Sequence, residues 1–251
     1  MTDDHVNTPT VEILSNEEEI TQATEELVHV VAPGIICRTE ARAKQHSRER
    51  IVLDATDGFI PLWAKDQVLR WRFHERSLRR FRNPQTLKLR VRSLFAEAIS
   101  AWGVEVVPIR FVERRDNPDF EIVVETQKDC TPRGCVLASA FFPDAGRHTL
   151  QLYPTLFEQP KREQVETMAH ELGHVFGLRH FFALRLERSW PAVIFGDHEP
   201  FSIMNYGAES TLTGTDRKDL TNLYQAVWQG QLTAVNGTPI QLVKPYHMLR
   251  T

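Results

Sequence analysis

Between residues 87 and 102 the apolar positions Leu87, Val91, Leu94, Phe95, Ala98, Ile99 and Trp102 recur every third or fourth place and stop at Gly103. That period buries one face of an α-helix, so an amphipathic helix of about four turns is predicted here. A second stripe, Val165, Met168, Ala169, Leu172, Val175 and Phe176, predicts a helix that opens near Pro160 and runs to about Phe176. A third helix is predicted from Thr215 or Asp216, both suitable N-caps, with Leu220, Leu223, Tyr224 and Val227 facing inward. Near the start of the chain, Ser15 and Glu18 have the form of a capping box, and Ile20, Ala23, Thr24, Leu27, Val28 and Val31 make a modest stripe. They predict a helix over about 16–31, ended by Pro33-Gly34.

A different period rules elsewhere. Residues 68–73 partly alternate apolar and basic side chains, as a half-buried strand does. Strand-like runs follow at 106–112, 120–124, 136–142 and 149–153, separated by Pro, Gly, Asp or Asn. Strands mixed with helices predict a sheet layer covered by helices, an α/β or α+β architecture. The charge-dense run from Arg38 to Arg50 reads as a solvated linker, and Asn236-Gly237 as a hairpin turn near the end. The expected organisation is an N-terminal extension over 1–50, a core domain over 51–229 and a tail over 230–251.

Composition changes this picture little but excludes several classes. Hydrophobic residues make up 41% and charged residues 25% of 251 residues, enough apolar side chain for a sizeable core. A net charge of -3 gives no overall field that would recruit nucleic acid or an acidic membrane, so neither is an expected partner. The first residues lack the basic start and apolar stretch of a secretory signal, and no run is long and apolar enough to span a membrane. A cytoplasmic location is the default expectation. Three cysteines cannot build a disulfide framework; Cys130 and Cys135 are close enough to pair in an oxidising compartment, and two thiols fit a reducing one equally.

The segment 170–180 carries the chemistry: His170-Glu171-Leu172-Gly173-His174-Val175-Phe176-Gly177-Leu178-Arg179-His180. Zinc takes nitrogen, oxygen or sulfur ligands in tetrahedral geometry, and a catalytic site keeps one position open. Two histidines four residues apart stand on one side of a helix and can supply two ligands. Glu171 sits next to the first and can take a proton from a water that attacks a carbonyl. At Gly177 the helix must stop and the chain turn sharply, so that His180 returns as the third ligand.

This string, followed by Ser202-Ile203-Met204-Asn205-Tyr206, resembles the metal site and methionine turn of metzincin zinc peptidases. Trp63 with the following strand, Ala101-Trp102, Pro118-Asp119-Phe120-Glu121-Ile122 and the run 137–143 are similar to matrixins, while Tyr206 is similar to the astacin and serralysin turn. The resemblance spans about 60–228 and is strongest over 170–206. It implies a zincin-like α+β fold: a twisted mixed sheet, two long helices and a mostly helical C-terminal subdomain. It also implies a zinc endopeptidase acting on protein or peptide substrates, with Glu171 as general base. Met204 would form an apolar floor under the imidazoles, and Tyr206 would be a fifth ligand that swings to stabilise the oxyanion.

The resemblance further implies that an extended substrate adds to a sheet edge at 149–153, and that residues 207–214 wall the side-chain pocket. Departures matter too. Ser139 stands where matrixins carry a histidine for a structural zinc, and Gln151-Leu152-Tyr153 replaces their acidic run, so one catalytic zinc and no structural zinc is expected. Phe181 replaces the glutamate of astacins. Matrixin propeptides block their metal with a cysteine, but the residues around Cys37 do not match that switch motif. The alternative reading is a catalytically silent metzincin fold that binds peptides or proteins. A gluzincin using Glu187 or Glu199 would leave Gly177, His180 and Met204 without a purpose.

Overall fold

The computed structural model describes residues 28–32, 34–38, 51–54, 58–132, 134–179, 192–195, 202–204 and 211–250. In chain order these form β1 (Val28–Ala32), β2 (Gly34–Arg38), β3 (Ile51–Asp54), β4 (Ile60–Trp63), β5 (Val68–Phe73), α1 (Glu75–Leu78), α2 (Pro84–Trp102), β6 (Arg110–Glu113) and β7 (Phe120–Val124). Then come β8 (Asp129–Thr131), β9 (Gly134–Val136), β10 (Ala138–Ser139), β11 (His148–Leu152), α3 (Pro154–Glu158), α4 (Lys161–Val175), β12 (Leu178–Arg179) and β13 (Ala192–Phe195). The chain closes with α5 (Gly214–Trp228), β14 (Ala234–Val235), β15 (Thr238–Val243) and a 3-10 turn over Tyr246–Arg250.

The central sheet runs β10-β11-β7-β5-β6. Four of its strands are parallel, and β10 pairs antiparallel at the edge, Ala138 opposite Leu152. The α+β architecture with a mixed sheet is therefore the one expected. Alternation sends Leu69, Trp71 and Phe73 of β5, and Phe120, Ile122 and Val124 of β7, into one buried layer. Against it lie Val91, Leu94, Phe95, Ala98 and Trp102 of α2 and Met168, Ala169, Leu172 and Val175 of α4. Phe95 makes tilted or edge contacts with Trp71, Phe111 and Phe120, with centroids 5.2–6.3 Å apart. The Trp102 indole donates to the Ala169 carbonyl at 2.8 Å and ties α2 to the middle of α4.

Several boundaries differ from the sequence expectation. Val28–Ala32 is a strand, not the end of a helix, and residues 16–27 lie outside the described residues. The β-branched run Val28-His29-Val30-Val31 suits a pleated ribbon better than a helix. β1 pairs antiparallel with β2, Ala32 opposite Ile35, and β2 adds in parallel to β9. Residues 28–32 and 34–38 are thus strands of a four-stranded sheet, β1-β2-β9-β8. The strand expected over 106–112 begins only at Arg110, because Val106 and Val107 donate back to the Gly103 carbonyl in a turn. Phe141 and Phe142, expected in a strand, are irregular, and α5 starts one turn's edge earlier, capped by Thr213 with Asp216 in a reciprocal capping box.

The run 149–153, expected to be the open edge, falls in β11 as far as Leu152, and that strand lies inside the sheet between β7 and β10. The edge is β10. The tail is a strand hairpin: Asn236 and Gly237 both have positive φ, as a two-residue type I′ turn requires, and β15 pairs in parallel with β4. His247 holds the last turn against the sheet, donating its backbone N–H to Asp119 Oδ1 at 2.8 Å and its Nδ1 to the same carboxylate at 2.9 Å.

Candidate metal centre

α4 carries the two described histidines of the motif, and the buried stripe that makes it a helix also fixes which way they face. His170, Glu171 and His174 are all buried, His174 completely. The imidazoles stand edge to face, 4.8 Å between centroids, and the Phe142 ring meets His174 edge-on at 5.4 Å. His170 Nδ1 lies 2.7 Å from the Ile203 carbonyl oxygen, and His174 Nδ1 lies 2.8 Å from that of Leu178. A carbonyl can only accept, so in the neutral rings each Nδ1 carries the proton and each Nε2 the lone pair. This is the orientation that a metal-ligating histidine needs from its surroundings.

The end of α4 is built with equal care. Gly177 has φ 92° and donates its N–H to the His174 carbonyl at 2.8 Å. A Cβ at this position would come 3.0 Å from Leu62 Cδ2 and 3.4 Å from the Pro61 carbonyl, so space as well as φ calls for glycine. The last carbonyls of the helix find buried donors: Trp63 Nε1 donates to Val175 at 2.7 Å and Tyr224 Oη to Phe176 at 3.0 Å. Tyr224 Oη also accepts from the Trp63 backbone N–H at 3.3 Å. β12 then pairs with β3, Arg179 opposite Val52, which fixes the chain up to the residue before His180.

The turn at 202–204 reaches the helix in two ways. Its Ile203 carbonyl accepts from His170, and Met204, 4% exposed, lies against α4 at Gly173. A Cβ on Gly173 would fall on Met204 Sδ, with Trp102 on the other side. The turn is itself anchored to α5. Ser202 Oγ donates to Asp216 Oδ1 at 2.5 Å, the Ile203 N–H donates to Oδ2 at 3.3 Å, and the Thr213 N–H donates to Oδ2 at 2.8 Å. One buried carboxylate thus caps a helix and holds the turn whose Ile203 carbonyl meets His170.

Of the residues singled out by the sequence, His170, Glu171 and His174 lie on one stretch of α4, and Met204 packs against it at Gly173. His180, Tyr206, Phe181, Glu187, Glu199 and 205–210 lie outside the described residues. Among the described residues no group of three His, Cys, Asp or Glu side chains could hold a metal ion. Ser139 donates to Gln151 Oε1 at 3.2 Å, and Tyr153 Oη donates to the same oxygen at 3.0 Å. Cys37 lies in β2 opposite His29. Cys130 and Cys135, directly opposed across the β8–β9 ladder, form a disulfide. Sequence reasoning named Trp63, Tyr224 and Asp216 but not the bonds by which they hold the end of α4 and the turn at 202–204, and it gave Gly173 no role. Trp63 and Tyr224 carried a usable signal, since a buried indole or phenol must find a polar partner.

No protein-family model matches the chain. In sequence it is similar to stromelysin-3 of Mus musculus, 29% identical over 168 residues, which is 62% of this chain and 31% of that protein. Stromelysin-3 of Rattus norvegicus is 29% identical over 182 residues, 68% of this chain and 34% of the relative. The chain spans about a third of the length of these curated relatives. Among solved structures it matches two of myroilysin, at 15% and 13% identity and a TM-score of 0.47 each, covering 69% and 80% of this chain and 98% and 95% of theirs.

Proposed function

We propose that the chain is a zinc-dependent endopeptidase that hydrolyses peptide bonds in protein or peptide substrates. The observation that carries this reading is the pair of buried imidazoles one helical turn apart, each with Nδ1 directed to a backbone carbonyl. A set of neutral nitrogen donors prepared in this way suits zinc, and His170, His174 and His180 would hold it. Bound there, zinc supplies Lewis acidity toward a carbonyl and toward a water whose pKa it lowers to about 7.

The remaining steps belong to the protein. Glu171, adjacent to His170 on the buried face of α4, accepts the proton of the attacking water and passes it to the leaving amine. Tyr206 donates a hydrogen bond to the oxyanion as the carbonyl becomes tetrahedral. Met204 packs beneath the imidazoles and keeps water from that side. An extended substrate adds along the edge strand β10 by backbone hydrogen bonds. The Cys130–Cys135 disulfide favours work in an oxidising compartment over the cytoplasm.

One observation favours a second reading, a silent or latent peptide-binding module. β2 pairs with β9 immediately before β10, so the N-terminal segment already occupies the line along which a substrate would add. Zinc per chain, measured together with cleavage of a peptide library by wild type, Glu171→Ala and a form lacking residues 1–50, separates the two. One zinc per chain with cleavage that Glu171→Ala abolishes is the expected result. Stoichiometric zinc without cleavage by either the full chain or the shortened form would falsify the peptidase reading.

A further inference from the structure

Residues 70–92 hold nine Arg and Lys against a single acid, Glu75, in a chain whose net charge is -3. Five of the nine are committed within the fold. Arg70 pairs with Asp116, Arg72 with Glu121, Lys88 with Glu75 and Arg92 with Glu113, while Arg90 lies over the Phe157 ring and donates to Gln164. The other four, Arg76, Arg79, Arg80 and Arg82, are exposed on α1 and the turn after it, and none has an ion pair among the described residues.

The one acid within this run, Glu75, already has a cationic partner. Lys88, hydrogen-bonded to Glu75 at 2.7 Å, holds that carboxyl below its ordinary value, with Arg115 and Arg79 adding to the effect. Arg115, exposed on the β6–β7 connection, therefore belongs to the same neighbourhood, and its carbonyl is tied to Arg72 Nη1 at 3.0 Å. The other acids close by already have arginine partners: Asp116 lies 3.6 Å from Arg70, Glu121 2.6 Å from Arg72 and Glu113 2.7 Å from Arg92. Phe81 packs its ring against the core, so the arginine turn is held in place from below.

We propose that Arg76, Arg79, Arg80, Arg82 and Arg115 form a docking face for a sulfated or carboxylated polysaccharide. Arginine forks match oxyanions in planar, two-bonded geometry, and a row of them favours a ligand that repeats such groups. No aromatic ring stands exposed among them to stack on a base, as a single-stranded nucleic acid would ask. Leu89 is an exposed large apolar residue of α2 near this face, and one leucine does not make an inserting surface for a membrane. The Cys130–Cys135 disulfide points to an oxidising compartment, where acidic polysaccharides are the abundant polyanions. The face follows β5 and β6, at the opposite end of the sheet order from β10, so a bound polymer leaves the proposed cleft open. The proposal stands independently of the peptidase reading.

Retention on immobilised heparin, read as the salt concentration at elution, tests it with the full chain. Wild type should be retained above physiological salt and bind a heparin oligosaccharide at least about tenfold more tightly than the Arg76→Gln, Arg79→Gln, Arg80→Gln, Arg82→Gln variant, with a steeper salt dependence. Changing Lys65, Lys128, Lys218 and Lys244 to Gln removes the same charge elsewhere and should leave binding unchanged. In wild type, the oligosaccharide should protect the tryptic region 76–82 from an arginine-modifying dicarbonyl, a reading that needs no variant to fold. Equal loss in the lysine control, absence of protection, or tighter binding to single-stranded DNA or phosphatidylserine vesicles than to heparin would each overturn the proposal.

Discussion

Gly173 and Met204 share one volume: a methyl group on the glycine would sit on the Met204 sulfur. The space against this turn of α4 is therefore divided between a helix position without a side chain and a thioether that fills it. Gly173→Ala should lower unfolding stability by about 1–3 kcal/mol through overpacking, and weaken zinc binding as the turn is pushed away. Adding Met204→Ala should recover part of both losses. Thermal unfolding and zinc competition on the two single variants and the double variant measure the coupling.

Tyr224 joins the end of α4 to β4 through one hydroxyl. Tyr224→Phe should cost about 1–3 kcal/mol, because a buried N–H and a buried carbonyl lose a partner together. Burial raises the Tyr224 phenol above the ordinary tyrosine range. Since the folded value lies above the unfolded one, the contribution is complete below about pH 10 and falls as pH rises beyond it, by at most about 1.4 kcal/mol per pH unit. Urea unfolding between pH 8 and 11 should show that decline in wild type and a flatter profile in Tyr224→Phe.

Asp216→Asn keeps the size of the carboxylate but weakens its bonds to Ser202 and Thr213. A loss of about 1–2 kcal/mol is expected from the cap alone. If the same residue positions the Met204 turn, zinc affinity should fall as well, and Thr213→Ala, which removes only the capping side chain, should leave that affinity nearly intact. Competition with a chelator reads the difference.

His247→Ala should destabilise the chain by about 1–3 kcal/mol, since Asp119, 1% exposed, loses a side-chain donor and keeps the N–H groups of residues 70 and 247. Amide exchange should quicken first at 246–250 and at the start of β7, while zinc content stays at the wild-type level.

Replacing Cys130 and Cys135 by serine should cost about 2 kcal/mol on the chain-entropy scale for so short a loop. The loss should appear as faster proteolysis in β1 and β2, which rest on β9, before any change in the helices.

Where one physical signal dominates, the sequence was a faithful guide. α2 and α4 each bury one strongly apolar face, and the strands at 68–73 and 120–124 alternate in a way that only a pleated layer satisfies. His170 and His174 were legible because their spacing and helical pitch are the same fact. The region 28–31 misled because a stripe with valine and leucine at helical spacing is also a β-branched run, and pairing with β2 and β9 decided in favour of the strand. The sheet edge was misplaced by one strand because β10 and β11 follow one another closely and only the hydrogen-bonded order distinguishes rim from interior. Trp63, Asp216 and Gly173 act across long separations, and nothing local in the chain announces the partner that each of them meets.

The parallel pair of β4 and β15 sets Ile60 opposite Ile240, and Trp63, which holds the end of α4, lies in that pair opposite Val243. Synthesis proceeds from the N-terminus, so the histidine-bearing helix leaves the ribosome well before the strand that secures its stop. Until residue 243 has emerged, the nascent chain carries the motif without its finished anchor. On this order of events, the stop of α4 is secured only after translation has passed the hairpin of β14 and β15, so the helix is completed by chain that is made last.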